Sequence, residues 1–465
     1  MKNSAKGMTA QALSWQGLWE AFRAKFVGRK FVQDVGVLTA ANAVGVVLSF
    51  IQAILVARWL GPKLYGVAAL VMAYPSVLFG FVDTRSGAAS VKYLGEFEAK
   101  RDSARALAVC KLGYTVDMAV AILAFMLVAA TAWWAEKRIV QMPGMTSLMI
   151  LYAAAFLPSS LARTSSAVMR TFGRFPALAK IDGICSVVRT TLVVGLVWMG
   201  YGVAGVVWGS ALGLALRGLM LSLISYPVAK QAWGSSWLWG RWHTLRGVRR
   251  EIAGFFFYNN LNAVMGVFVR RLDLIILGYF RGPTEAGYYS LAKSVGAVLN
   301  NLRGPLRSVS YPRLARLWGG GQYDELRGTV KRYALLGVGI SFGALALVAV
   351  PLLPTAIGIV VGEKYLPAAF ASQILFLAGA IYLGMFWVRP LYLAAGKVRS
   401  WFGLGLISGG FAIMAYPVGA VLWGASGVAL GRMAAGIIRL GLATIQILRG
   451  RVYHESTTSA ETVHS

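Results

Sequence analysis

The chain has 465 residues, of which 57% are hydrophobic and 14% charged, and its formal net charge is +29. This composition excludes a soluble globular domain, because a soluble chain of this length carries more charge and fewer apolar residues. A run of roughly 20 apolar residues can cross a bilayer as a helix. We predict an all-α polytopic membrane protein with twelve spans, near 35–57, 64–84, 107–133, 146–169, 176–199, 202–228, 253–280, 284–306, 333–358, 366–393, 400–421 and 424–447.

Residues 1–34 precede the first span and form a predicted cytoplasmic N-terminal segment. Trp15, Trp19 and Phe22 recur there at helical spacing, and most of the basic residues lie off that stripe. This pattern favours an amphipathic helix on the surface of anionic membrane lipids, with a disordered basic tail as the alternative. The segment lacks the features of a secretory signal, so we expect the first span to direct insertion.

The second six spans repeat landmarks of the first six. One matched motif is Gly61-Pro62-Lys63-Leu64-Tyr65-Gly66, which corresponds to Gly282-Pro283-Thr284-Glu285-Ala286-Gly287. A second match pairs Gly202, Gly205 and Gly209 with Gly424, Gly427 and Gly431. A third pairs Gly173-Arg174 with Gly396-Lys397. Because each repeat has an even number of spans, the two repeats enter the membrane in the same direction. Parallel repeats of this kind are typical of alternating-access transporters.

The repeat and the composition together predict five segments. They are the N-terminal segment at 1–34, a six-helix lobe at 35–229, a cytoplasmic linker rich in basic residues and tryptophan at 230–252, a second six-helix lobe at 253–448 and a cytoplasmic tail at 449–465. Short loops on the outer side leave no room for an external catalytic domain.

The 46 lysines and arginines are distributed unevenly about the predicted spans. If the N-terminus is cytoplasmic, 32 of them lie in cytoplasmic segments, six in outer loops and eight within spans. The positive-inside rule therefore predicts that both termini are cytoplasmic. The same distribution explains the net charge, so a nucleic-acid partner is not needed to account for it.

Basic residues within spans are the main candidates for function, because a charge in hydrocarbon is costly unless it faces a cavity or a partner. We predict a cavity for an anionic group lined by Arg217, Lys293, Arg432, Arg439, Arg270 and Arg271. Guanidinium groups bind phosphate oxygens through two parallel hydrogen bonds. Arg217 and Arg439, each eight residues after a matched glycine, could instead snorkel to the cytoplasmic surface.

Asp273 directly follows two of these arginines and one leucine. Its carboxylate either forms an internal ion pair with Arg270 or Arg271, or binds the proton or cation that couples transport. The chain offers no catalytic or metal-binding constellation: Cys110 and Cys185 fall in different spans, and the three histidines lie in a loop or the tail. We therefore expect no cofactor, no metal and no enzymatic activity.

Two segments resemble a known family. Ala57-Arg58-Trp59-Leu60-Gly61-Pro62-Lys63-Leu64-Tyr65-Gly66, and Arg271-Leu272-Asp273-Leu274-Ile275-Ile276-Leu277-Gly278 leading to Gly287-Tyr288-Tyr289, are similar to segments of the polysaccharide biosynthesis flippases. These are the Wzx-type members of the multidrug/oligosaccharidyl-lipid/polysaccharide exporter superfamily, and the resemblance spans most of 35–448. The twelve predicted spans depart from the fourteen of the peptidoglycan-precursor flippases in that superfamily.

The resemblance implies transport of an oligosaccharide linked to undecaprenyl pyrophosphate across the bacterial inner membrane, through a cationic cavity, for a surface polysaccharide such as an O-antigen of lipopolysaccharide or an exopolysaccharide. It also implies contacts with other polysaccharide-assembly proteins. Three other functions stay open: a drug antiporter of the same superfamily, a membrane glycan polymerase or ligase, and a membrane scaffold that transports nothing. The shortage of embedded acids disfavours the antiporter, and the short outer loops disfavour the polymerase.

Overall fold

The computed structural model describes residues 29–83, 86–234, 244–245, 271–344 and 352–449, and within them it is helical almost throughout, with no β-strand. The helices are α1 (Arg29–Val82), α2 (Ser86–Ala99), α3 (Ser103–Ala135), α4 (Thr146–Ala154), α5 (Phe156–Thr171), α6 (Phe175–Leu196), α7 (Gly202–Trp233), α8 (Leu272–Gly319), α9 (Tyr323–Ala344), α10 (Leu352–Val360), α11 (Ala368–Gly384), α12 (Val388–Ala394) and α13 (Val398–Leu448). We call α1–α7 the first half and α8–α13 the second half.

Several of the predicted segments lie wholly or partly outside the described residues. Nearly all of the N-terminal amphipathic segment, most of the linker at 230–252, the seventh span before Arg271, and the tail after Arg449 lie outside the described residues. The boundaries of the five predicted segments therefore remain predictions.

The long helix α8 is a hairpin that turns at Gly282. Its Lys293 Nζ lies 3.1 Å from Asp273 Oδ1, although 20 residues of straight helix would separate the two residues by roughly 30 Å. Gly282 has φ 78° and ψ −174°, and Gly61 in α1 has φ 71° and ψ 173°. A residue with a Cβ is strained at such positive φ, so glycine is needed where each helix turns.

The other glycines matched between the two halves also share their backbone conformations. Gly202 has φ 54° and ψ −129°, and Gly424 has φ 54° and ψ −133°. Gly173 and Gly396 have φ values of 67° and 70°. The twelve-span count and the two-repeat layout stay predictions; the paired conformations agree with the repeat.

Five stretches of the described residues are long and apolar enough to cross a membrane. They are Val44–Val82, Ser103–Val140, Phe175–Trp233, Ala368–Ala394 and Val398–Leu448. Those of 39, 59 and 51 residues each have room for two passes of roughly 20 residues. Many large apolar side chains are exposed on the surface of the helix bundle; Leu223 is 72% and Met414 is 74% exposed. The protein is therefore a multi-pass membrane protein whose lipid-facing surface is apolar.

The two halves touch at the end of the helix bundle that holds Gly61 and Gly282, which we call the kink end. A Cβ on Gly66 would overlap the carbonyl oxygen of Pro283, and a Cβ on Gly287 would overlap that of Pro62. The two backbones are thus in direct contact, as small residues permit between membrane helices. Matched motifs of the two halves form this reciprocal contact.

Hydrogen bonds between the halves surround the glycine contact. Tyr365 donates its hydroxyl hydrogen to the carbonyl oxygen of Ala57 at 3.0 Å, and Gln141 Nε2 donates to that of Gly278 at 3.4 Å. Each of these bonds joins a residue of α1 or the turn after α3 to a residue of the second half. The kink end is therefore closed between the halves.

Glu136 caps the start of α4 from the π-helical turn Glu136–Val140. Its Oε2 accepts hydrogen bonds from Thr146 N at 2.6 Å and Thr146 Oγ1 at 2.8 Å. We expect Glu136→Ala to lower the free energy of unfolding by about 1 kcal/mol, because loss of a cap leaves helix N–H groups without a partner. Thermal unfolding of the purified protein measures this, with the exposed Glu363→Ala as the control; equal stability of the two variants would contradict the capping role.

Candidate functional site

A cavity with charged walls has a volume of about 460 Å³ and lies mainly in the first half. Its lining includes serines of α1 and α5 and four arginines: Arg163 and Arg170 of α5, Arg217 of α7, and Arg271 immediately before α8. We call this space the arginine cavity. Four guanidinium groups around one cavity give it the character of an anion site.

Two of the four guanidinium groups form ion pairs with carboxylates. Arg163 forms an ion pair with Asp83, and Arg217 Nε lies 2.8 Å from Asp182 Oδ1. Among the described residues, Arg170 and Arg271 have no carboxylate partner; Arg271 Nη1 donates to the carbonyl oxygen of Ser76 at 2.6 Å. These two side chains supply the positive charge that the cavity's own acids do not neutralise.

A second cavity of about 330 Å³ lies between the two halves. Its walls come from α1 near Ser49, from α6 near Asp182 and Ser186, and from α8 near Ser294 and Asn301. Because Asp182 lines this second cavity while its partner Arg217 lines the arginine cavity, their ion pair stands between the two spaces. The side chains of Arg217 and Asp182 are 40% and 29% exposed, so the pair can open without leaving a fully buried charge.

Asp273 is the centre of a buried ionic cluster in the second half. Its Oδ1 lies 3.1 Å from Lys293 Nζ, and its Oδ2 accepts a hydrogen bond from the Tyr289 hydroxyl at 2.8 Å. Arg432 forms an ion pair with the same Oδ2, and the backbone N–H of Leu274 donates to Oδ1 at 2.8 Å. One fully buried carboxylate thus holds two cations, and both of its oxygens are occupied.

The hairpins of α8 and α13 bring this cluster together. Lys293 follows the turn at Gly282, and Arg432 follows the turn at Gly424, by 11 and eight residues. At 1.5 Å per residue both cations lie roughly 12–16 Å from their turns, which is near the middle of a bilayer about 30 Å thick. The ionic cluster is therefore the deepest charged group of the second half.

The six predicted basic residues fall into separate groups. Arg217 and Arg271 line the arginine cavity, and Lys293 and Arg432 bind Asp273. Arg439 packs against Trp401, with its guanidinium carbon 4.2 Å from the ring centre. Arg270 lies outside the described residues. Whether these residues bind substrate stays a prediction.

Among the described residues, the cations that bind Asp273 are distant from it in sequence. Lys293 and Arg432 hold the carboxylate, while Arg271 turns to the backbone of α1. A proton or cation that bound Asp273 would have to displace one of those partners. The coupling role of Asp273 stays a prediction, and it requires the loss of one of these ion pairs.

Arg163 and Arg170 were not predicted as site residues, because both were counted with the cytoplasmic basic residues at the end of the fourth predicted span. A signal was present: Ser159, Arg163, Ser166 and Arg170 recur every three or four residues, which places them on one face of a helix. All four line the arginine cavity. A polar stripe at the end of an apolar span thus marked the cavity wall.

Within the described part of the chain, no group of three or more His, Cys, Asp or Glu side chains is placed to hold a metal ion. Cys110 and Cys185 are buried and unlinked to each other.

Comparison with known proteins gives one family match and several solved structures of similar fold. The model of a family described as "Polysaccharide biosynthesis protein" matches residues 55–370. The fold is similar to that of the lipid II flippase MurJ in an inward closed conformation, with a TM-score of 0.67, 15% identity, and coverage of 88% of this chain and 87% of that one.

Two further solved structures have the same fold. A multidrug resistance MATE family transporter of the MOP superfamily, in an inward-facing conformation, has a TM-score of 0.62 and 12% identity, over 90% of this chain and 96% of its own. The Vibrio cholerae MATE transporter VcmN has a TM-score of 0.61 and 15% identity, over 92% and 97%. No curated protein sequence matches the chain.

Proposed function

Because the chain belongs to the polysaccharide biosynthesis protein family, we propose that it is a flippase that moves an undecaprenyl-pyrophosphate-linked oligosaccharide across the bacterial inner membrane by alternating access. Its product would serve assembly of a surface polysaccharide such as an O-antigen of lipopolysaccharide or an exopolysaccharide. The observation that carries the proposal is the arginine cavity, in which Arg170 and Arg271 have no carboxylate partner among the described residues.

The charge of the arginine cavity favours an anionic cargo over a cationic drug. Asp83 and Asp182, the acids nearest to its arginines, are already paired with Arg163 and Arg217. A pyrophosphate group carries several negative charges and presents oxygens that two guanidinium groups can bind through paired hydrogen bonds. Arg170 and Arg271 lie on different halves of the protein, so one bound pyrophosphate would bridge the halves.

The closed kink end supplies the other requirement of alternating access, a barrier on one side. In the proposed orientation both termini are cytoplasmic and the kink end faces the outside, because the cytoplasmic segments hold most of the lysine and arginine. Contact of Gly66 and Gly287 with the opposite backbones would then separate the arginine cavity from the outer surface. Separation of the halves at the kink end would release the cargo outward.

The proposal predicts that Arg170→Gln and Arg271→Gln each reduce the initial rate of flipping at least tenfold. Each change keeps a side chain of similar length but removes the charge that meets the pyrophosphate. The measurement uses the full chain in proteoliposomes and a fluorescent undecaprenyl-pyrophosphate oligosaccharide, whose outward movement a membrane-impermeant quencher reports.

Arg174→Gln is the matched control, because Arg174 is exposed, follows Arg170 by four residues and does not line the arginine cavity. Unchanged rates in both cavity variants would remove the arginine cavity from the transport path. Wild-type protein that moves no such lipid would overturn the proposed function itself.

A further inference from the structure

Four arginines gather in the second half, at the end of the bundle opposite the kink end. Arg303 and Arg307 come from α8, Arg389 from α12 and Arg439 from α13, and we call them the arginine cluster. The charges that act on Arg303 include the guanidinium groups of Arg389 and Arg439, and those that act on Arg307 are the guanidinium groups of Arg303 and Arg389. Four guanidinium groups on three helices are thus near enough to act on one another electrostatically.

Aromatic rings and neutral oxygens hold the arginine cluster in place. The guanidinium carbon of Arg303 lies 5.4 Å from the ring centre of Tyr382, and its Nη1 donates to Asn300 Oδ1 at 3.0 Å. Arg439 lies over Trp401 at 4.2 Å and donates to its carbonyl oxygen at 3.3 Å. Contacts of this kind orient the side chain of an arginine.

Arg303 and Arg307 have no carboxylate partner among the described residues, and the Nε of each is buried without a hydrogen-bond acceptor. The embedded acids of the second half act elsewhere. Asp273 holds Lys293 and Arg432, and Glu285 accepts a hydrogen bond from the N–H of Ala425 at the kink end. Within the described part of the chain, no carboxylate therefore competes with an external anion for these two guanidinium groups.

The depth of the arginine cluster matches a lipid head group. Arg303 lies 21 residues beyond the turn at Gly282, which is roughly 30 Å along the helix. The hydrocarbon core of a bilayer is also about 30 Å thick. The cluster therefore lies near the membrane boundary opposite the kink end, which is the cytoplasmic boundary in the proposed orientation.

We propose that the arginine cluster is a loading site that binds the pyrophosphate of a polyprenyl lipid at the cytoplasmic membrane surface, before the lipid enters the arginine cavity. This inference rests on the proposed function and adds a second anion site on the other half of the protein. Several neighbouring guanidinium groups suit a pyrophosphate better than a single phosphodiester, because each can bind two oxygens and the pyrophosphate carries more charge.

The test measures lipid binding to the full chain in detergent by native mass spectrometry, with undecaprenyl pyrophosphate and phosphatidylglycerol as separate probes. We expect the double variant Arg303→Gln with Arg307→Gln to raise the dissociation constant for undecaprenyl pyrophosphate at least tenfold and to leave phosphatidylglycerol binding unchanged. The control is Arg313→Gln, an exposed arginine further along α8, which should bind like wild type.

A second double variant, Arg303→Lys with Arg307→Lys, keeps the charge and removes the bidentate geometry, so its affinity should fall between those of wild type and the Gln double variant. Inorganic pyrophosphate is the third probe: competition with the lipid in wild type but not in the Gln double variant supports recognition of the pyrophosphate itself. Equal loss of phosphatidylglycerol and undecaprenyl pyrophosphate would overturn the loading site, because the cluster would then bind anionic lipids in general.

Unchanged undecaprenyl pyrophosphate binding in a folded Gln double variant would also overturn the loading site, while leaving the proposed function intact. If wild-type protein bound no undecaprenyl pyrophosphate, the proposed function would fail instead. Thermal unfolding of each variant establishes that it is folded before binding is compared.

Discussion

Asp273→Asn is expected to lower the free energy of unfolding by about 3–5 kcal/mol, the cost of removing one partner from a buried ion pair. Lys293 and Arg432, whose side chains are only 28% and 23% exposed, would keep their charges and lose their shared carboxylate. The asparagine Oδ1 can still accept the hydrogen bond from Leu274, and its Nδ2 can donate to the Tyr289 hydroxyl, so the loss measures mainly the missing charge. We expect low yield in the membrane and loss of flipping.

Asp182→Asn is the matched control, because it makes the same change in the partly exposed pair with Arg217. Solvent screens that pair, so its loss should cost about 1 kcal/mol or less. Thermal unfolding of both purified variants gives the comparison. Adding Lys293→Met to Asp273→Asn should recover part of the stability, because one of the two unpaired cations is removed.

Equal stability of the Asp273→Asn and Asp182→Asn variants would show that the buried cluster does not stabilise the fold. A stable Asp273→Asn variant that flips lipid at the wild-type rate but no longer depends on an ion gradient would instead support the coupling role predicted for Asp273. The two outcomes are separable, because one is read from unfolding and the other from transport.

The sequence located the turns of the fold better than its contacts. Two pairs of glycines are matched between the apolar segments of the two halves, Gly61 with Gly282 and Gly202 with Gly424. The two members of each pair have the same backbone conformation. A glycine that must adopt positive φ leaves a mark in the sequence. The rotation of one helix about its axis relative to its neighbour is not visible in the sequence in this way.

The charged contacts show where that limit falls. Depth counted from the turns placed Lys293 and Arg432 near the middle of the membrane, but that both would bind Asp273 depends on helix rotation. Depth alone could have paired Arg217 with Asp182, since they lie 15 and 18 residues on either side of the turn between Gly200 and Gly202. Arg163 and Arg170 were missed because hydropathy ends a span where a cavity wall becomes polar.

Gly287→Ala is expected to prevent closure of the kink end and to reduce flipping at least tenfold. The new Cβ would overlap the carbonyl oxygen of Pro62, and a carbonyl oxygen within a helix cannot move aside as a flexible side chain can. The two halves relieve the overlap by separating there. Gly66→Ala should have the same effect, because its Cβ would meet the carbonyl oxygen of Pro283 in the reciprocal position.

Separation of the halves is measured with a single cysteine at position 57, after Cys110 and Cys185 are replaced by alanine. Ala57 is fully buried in the closed kink end, behind the Tyr365 hydroxyl. A membrane-impermeant thiol reagent added to the outside should label this cysteine slowly in the parent protein and many times faster with Gly287→Ala. Gly195→Ala is the control, because a Cβ there meets no atom within 4 Å.

Slow labelling together with wild-type flipping in Gly287→Ala would mean that the backbone contact is not needed to seal the outer side. Fast labelling with normal flipping would show that the seal exists but that transport does not depend on it. Fast labelling together with lost flipping would tie the glycine pair to the transport cycle. It would show that a protein held open at the kink end cannot accept lipid from the other side of the membrane.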